Sequence, residues 1–136
     1  MRLIPHLHFN GQCEEAFRFY ETCLNGEITL KMTHAASPMA DQAPVGWQNK
    51  TLHATFIFGD QRLTGADLTP EQYEKPRGFS IALHIDAAEE AERVYARLSE
   101  NGVVQLPLQE TFWALRFGMF EDQFGIPWMI NCGKPA

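Results

Sequence analysis

LHFNGQCEEAFRFYETCLNG (residues 7–26) and LHIDAAEEAERVYARLSENG (residues 83–102) are two versions of one phrase. Slid together with a one-residue shift, they share Leu-His at the start, Glu-Glu-Ala in the middle, a Tyr, and a closing Asn-Gly. Each opens with strand alternation and continues at helical spacing. A repeated strand–helix unit in a short chain predicts two pseudo-equivalent halves. Halves of this kind often leave a cleft where they meet, and function is to be sought there.

Upstream of the first phrase, residues 3–9 alternate as a strand. Leu3, Pro5, Leu7 and Phe9 share one face; Ile4, His6 and His8 share the other. Cys13, Ala16, Phe17, Tyr20, Cys23 and Leu24 recur as the buried stripe of a helix. Asn25-Gly26 ends it, with the glycine expected in the left-handed position. A second strand follows at Glu27–Thr33. Residues 34–50 carry Pro38, Pro44 and Gly46 without a period and read as a long loop, of the kind that forms lids or binding loops. Residues 51–58 and 61–66 form a hairpin around Gly59-Asp60.

The second half repeats the pattern. Phe79, Ile81, Leu83 and Ile85 alternate, and Asp86 is placed to cap the next helix with Glu89 reaching back. Ala88, Ala91, Val94, Tyr95 and Leu98 make its stripe, Asn101-Gly102 stops it, and strands follow near 103–106, 113–120 and 127–132. Phe58-Gly-Asp-Gln61 and Phe120-Glu-Asp-Gln123 repeat the last turn of each half. The expectation is an α+β fold: one domain of two tandem β-α-β-β-β modules, 1–67 and 78–133 with connector 68–77, forming a curved mixed sheet around a cleft.

The chain has 136 residues, 45% hydrophobic and 21% charged, enough for a real core and too apolar for a disordered tail. A net charge of −6 without a basic run argues against nucleic acid. No apolar stretch approaches the ~18 residues of a membrane span. Cys13, Cys23 and Cys132 cannot all pair and lack C-x-x-C spacing, so they read as free thiols of a cytoplasmic protein.

Paired β-α-β-β-β modules resemble the vicinal-oxygen-chelate superfamily, which includes glyoxalase I, extradiol dioxygenases, fosfomycin-resistance and bleomycin-binding proteins. Three runs carry a closer resemblance: Pro5-His-Leu-His-Phe-Asn-Gly11, Glu14-Glu-Ala-Phe-x-Phe-Tyr20, and Gln109-Glu-Thr-Phe-Trp113. The last continues through Phe117-Gly-Met to Asp122-x-Phe-Gly-Ile-Pro-Trp-Met-Ile-Asn131. The chain resembles the PhnB-like branch, also labelled 3-demethylubiquinone-9 3-methyltransferase domains. The resemblance implies a homodimer with a ligand or metal in its cleft. It does not imply methyl transfer here: a nucleotide-like methyl donor generally needs a glycine-rich turn after a strand, and this chain has no G-x-G.

In metal-using relatives the ligands come from the first and last strands of the modules. Carried over, His6 fits, with His8 on its face. The second half offers Ser80 or Ala82, with His84 further on. The last strands offer Met129 in one half and Leu63 and Thr64 in the other, with Asp67 just beyond. The set is incomplete. His6 and His53 remain the candidate ligands for a divalent Zn, Fe, Ni or Mn, with Asp67 or Glu110 as a carboxylate. The structural reading is that these are partly buried histidines bonded to neighbours.

Gln109, Glu110, Phe112, Trp113 and Arg116 put polar and aromatic groups together. A desolvated Glu110 would serve as a general base; alternatively it pairs with Arg116 while Trp113 fills core or interface. Trp47 on the long loop, with Met32 and Met39, would cover an apolar ligand or a partner subunit. The ligand-binding candidates are thus His6, His8, His53, Trp47, Gln109, Phe112, Trp113 and Arg116, and the catalytic candidate is Glu110. The leading expectation is a small-molecule-binding protein. The alternatives are a metal-dependent lyase, isomerase or dioxygenase, and a metal-free enzyme using Glu110.

Overall fold

The repeat governs the topology. In the computed structural model, which describes residues 1–135, the first half runs β1 (His6–Phe9), α1 (Cys13–Leu24), β2 (Glu27–Thr33), β3 (Thr51–Phe58) and β4 (Gln61–Asp67). The second half runs β5 (Ile81–His84), α2 (Ala88–Leu98), β6 (Val103–Gln109), β7 (Ala114–Glu121) and β8 (Pro127–Gly133). Each makes a mixed four-stranded sheet, ordered β1-β4-β3-β2 and β5-β8-β7-β6. The first strand of each half lies parallel to its last, and the other neighbours are antiparallel. The chain divides into two compact units between Glu74 and Lys75, inside the expected connector.

Within the first unit, α1 packs on β2, β3 and β4. Its stripe of Cys13, Ala16, Phe17, Tyr20 and Cys23 is buried as its spacing predicts. These side chains meet Leu7, Phe9, Ala54, Phe56 and Leu63, the alternate residues of the strands. The Phe17 ring stands edge-on to Phe9 and tilted against Tyr20 and Phe56, each at 5.9 Å. A fully buried aromatic of this kind contributes about 2 kcal/mol through area removed from water. In the second unit α2 sets Ala91, Val94 and Leu98 against β7 and β8, where Ala114, Phe120, Trp128, Ile130 and Cys132 are buried. All three cysteines are free and buried.

Three local expectations need correction. The first strand begins at His6 and Leu3 is 95% exposed, because the β4 ladder pairs residues 6–9 and offers nothing further back for Leu3 to pack on. Asp86 does not cap α2: the N-cap is Ala87, one residue later, and it makes no side-chain cap bond. At the helix ends the asparagines, not the glycines, take the left-handed conformation, with φ of 56° at Asn25 and 60° at Asn101. The glycines serve close approach. A Cβ on Gly26 would sit 2.4 Å from the Ile57 carbonyl oxygen, and one on Gly102 would sit 2.1 Å from that of Glu121.

The turns that open this way are held by buried carboxylates. Asp67 accepts hydrogen bonds from the Cys13 amide at 2.8 Å and the Thr51 amide at 2.9 Å. A carboxylate from β4 therefore caps α1, whose own N-cap Gln12 makes no side-chain bond. Asp122, 3% exposed, accepts from the amides of Phe124 and Ile126 and from the Trp128 indole.

Replacing Asp122 with Ala strands those three donors without water, so a loss of about 3 kcal/mol or more is expected in urea unfolding, and Asp122→Asn should recover part of it. A loss under about 1 kcal/mol would contradict the clasp role. Gly102→Ala should cost about 1–3 kcal/mol by pushing the backbone off Glu121, whereas Asn101→Gly, which suits a positive φ, should be nearly neutral.

Candidate functional site

Strand alternation that buries Leu7, Phe9, Ala54, Phe56, Leu63 and Asp67 under α1 turns the intervening residues to the other face of the first sheet. Register then groups them. His6 lies beside Thr64, and Thr64 beside Thr55, which pairs with Leu30. On the next rung His8 lies beside Ala66, and His53 beside Met32. Continuing the β3–β4 register past Ala54 and Gly65 sets His53 on the other side of Ala66. A single small side chain thus separates two imidazoles, and the rings close over it.

The His6 ring stands edge-on to His8, centroids 5.1 Å apart, and stacks on His53 at 5.9 Å with an interplanar angle of 16°. Its Nδ1 shares a 2.7 Å hydrogen bond with Thr64 Oγ1, which leaves Nε2 directed elsewhere. Partial burial, then the neighbouring imidazoles of His8 and His53, hold His6 below its ordinary value of 6.5. The neutral cluster is an array of hydrogen-bonding rings on an accessible face.

Asp67 does not join them. It points to the α1 side, and both its oxygens are engaged by amides. Among the described residues no group of three or more His, Cys, Asp or Glu side chains is placed to hold a metal ion. The imidazoles therefore do not form the carboxylate-containing set that a divalent ion of this fold family would need. No catalytic step is derived through a metal.

Trp47 lies apart from the histidines, against Gly11 and under the Lys50 ammonium, which is 6.0 Å from its centroid and donates to the Gly11 carbonyl. The long loop is folded back on its own base: the amides of His34 and Ala35 donate to the carbonyls of Lys50 and Gln48. A cavity of about 400 Å³ opens beside the first turn of α1, lined by Glu14, Glu15, Arg18 and Lys50 among others. Its charges are largely spent on one another, since Glu14 pairs with Lys31 and Arg18.

The candidates of the second unit are placed by β6 and β7. Phe112 is 89% exposed and stands edge-on to Trp113 at 4.8 Å; Trp113 meets Phe117 at 5.2 Å. Gln109 is exposed at the end of β6. Glu110 is exposed rather than desolvated and pairs with Lys134 at 3.5 Å. It does not pair with Arg116, whose Nε donates to Glu92 across to α2. On the same sheet His84 and Asn131 face each other at 3.3 Å, and Asn131 Oδ1 is buried without a partner among the described residues.

Sequence reasoning named the three histidines but missed Ala66 as the spacer, Thr64 as a bonded partner, and Arg62. Alternation along β4 was the signal: Arg62, Thr64 and Ala66 share the face opposite to Leu63, Gly65 and Asp67.

Because His6 is held below its ordinary value, the unfolded chain binds this proton more readily than the folded one. The contribution to stability is complete above about pH 6.5 and is lost as pH falls through the lowered folded value. Thermal melts between pH 7.5 and 5 should show a falling Tm with a slope made shallower by His6→Gln. An unchanged slope in that variant would refute the assignment.

Comparison with known proteins agrees with this architecture. Residues 1–131 match the family described as 3-demethylubiquinone-9 3-methyltransferase. The chain is 34% identical to Protein YjdN of Escherichia coli (strain K12), over 98% of this chain and 97% of that one. The crystal structure of protein PA1353 from Pseudomonas aeruginosa is similar with a TM-score of 0.90 and 41% identity, covering 99% of each chain. That of a putative 3-demethylubiquinone-9 3-methyltransferase, PhnB protein, from Bacillus cereus has a TM-score of 0.83 at 23% identity, covering 98% and 100%.

Proposed function

The chain belongs to the 3-demethylubiquinone-9 3-methyltransferase family, and we propose that this member is a small-molecule-binding protein whose ligand seats on the imidazole-bearing face of the first sheet. One observation carries the reading: His6, His8 and His53 close over Ala66 beside the Thr64 hydroxyl. Three rings and a hydroxyl gathered from three strands offer donors and acceptors at fixed positions, with Leu30 and Met32 as apolar flank. Rigid polar groups beside apolar surface are what orients a small ligand. The family's name adds no methyl transfer, because the chain has no glycine-rich turn to hold a nucleotide-like donor.

Homodimerisation belongs to this proposal. Its support is the family resemblance and the exposure of Phe79, Val103, Phe112 and Trp113, more large apolar surface than one unit of this size ordinarily leaves uncovered. Light scattering at micromolar concentration should return the mass of two chains.

The ligand site is tested by screening small molecules with calorimetry against the wild type, His53→Ala and Ala66→Phe. Affinity should drop about tenfold when one hydrogen-bonding ring is lost and further when Phe fills the space between the rings. Elemental analysis of untagged, chelator-free protein accompanies it. Ligands that bind both variants as they bind the wild type would overturn the site. Near-stoichiometric metal lost on His6→Ala would overturn the metal-free reading in favour of a metal-dependent enzyme.

A further inference from the structure

We propose that the same face is built for a compact oxyanion, a phosphate- or sulfate-type group, with Arg62 as its charged anchor beside the three histidines and Thr64. This rests on the ligand-face reading above and names the chemistry that face would take.

Arg62 is exposed on β4, two residues before Thr64 and on the same side of the strand, its partner on β3 being Ile57. It has no ion-pair partner among the described residues, in a protein where Arg18, Arg93 and Arg116 all have one. A guanidinium presents five donors in a planar fork that matches tetrahedral oxyanions. Thr64 and the imidazoles add single donors of the kind that complete such a site.

The acids are elsewhere. The chain carries 17 Asp and Glu against 11 Lys and Arg, so a face with a free cation and no carboxylate nearby is against its trend. Asp67 of β4 faces α1 with both oxygens engaged. Asp60 sits in the β3–β4 turn, bonded to Gln61. Glu27 of β2 is on the far edge, three strands from β1, or about 14 Å at ordinary strand spacing. On β1 and β3 the ionisable groups of this face are His6, His8 and His53. The charges acting on His6 are accordingly His8 and His53, with no carboxylate among them. Positive charge gathered here has no internal counterion, and a bound oxyanion would supply it.

The test is imidazole-resolved NMR at pH 6.0, with potassium sulfate exchanged for potassium chloride at constant ionic strength, in the wild type and Arg62→Gln. A parallel arm uses phenyl sulfate, the same head group on an organic body. The expected result is saturable displacement of the His6, His8 and His53 resonances, with His34 and His84 unmoved and affinity about tenfold lower in Arg62→Gln. Tighter binding of phenyl sulfate would identify a group carried on a larger ligand; equal binding would identify the free ion. Equal movement of all five histidines, no saturation, or an unchanged Arg62→Gln affinity would overturn the proposal. If uncharged ligands from the screen saturate those three resonances where sulfate does not, the ligand face stands and the oxyanion is wrong. If neither does, both readings fall.

Discussion

Everything on the first sheet depends on register, and Asp67 holds the register. Its carboxylate joins the start of α1 to the start of β3 through two amide hydrogen bonds at the end of β4. In a strand, a slip of one residue exchanges the two faces. Such a slip would bring His6 and His8 under the helix and turn Leu7 and Phe9 outward. It would also leave the Cys13 and Thr51 amides buried without an acceptor. The penalty for that is of the order of a few kcal/mol, comparable with a sizeable share of a domain's net stability. The position of the imidazoles is thus a consequence of where a carboxylate on the opposite face must be.

The two halves keep one scaffold and spend it differently. Both end their helices with an asparagine at positive φ and a glycine pressed on the following strand. Both use a buried carboxylate as a backbone clasp, yet at different places: Asp67 at the end of β4, Asp122 in the turn before β8. The repeated fragments around Asp60 and Asp122 therefore have unlike roles, the first exposed and the second taking three hydrogen bonds. The faces diverge too. Where the first sheet sets His6 beside Thr64, the second sets Ala82 beside Met129. Its own imidazole pair, His84 with Asn131, lies one rung further and leaves a buried amide oxygen unsatisfied.

The reading of the candidate site was partial for an identifiable reason. His6 and His8 were legible as neighbours because two residues along one strand share a face. His53 was legible only as a conditional partner, since its approach needs β3 and β1 to flank β4. Asp67 was misassigned to the imidazoles because proximity in sequence to Thr64 says nothing about face; an odd number of residues from Thr64 puts it on the other side. Glu110 was expected to be desolvated by the aromatics beside it, but Phe112 turns outward at the tip between β6 and β7 and gives it no cover.

Local chemistry determined the elements: apolar period, the Asn-Gly stops and the duplicated phrase are written in neighbouring residues, and they specify two β-α-β-β-β units without reference to the rest of the chain. Pairing order and face were decided by the tertiary structure. Which strand lies between which, and so which side chains meet across Ala66, depends on parallel pairing between β1 and β4, more than fifty residues apart. Helix capping by a carboxylate from another strand is equally non-local, and a cap expected from the adjacent residues, as at Asp86, gives way when the helix starts one residue later. Contacts within a turn can be read from spacing; contacts across a sheet exist only once the whole register is set.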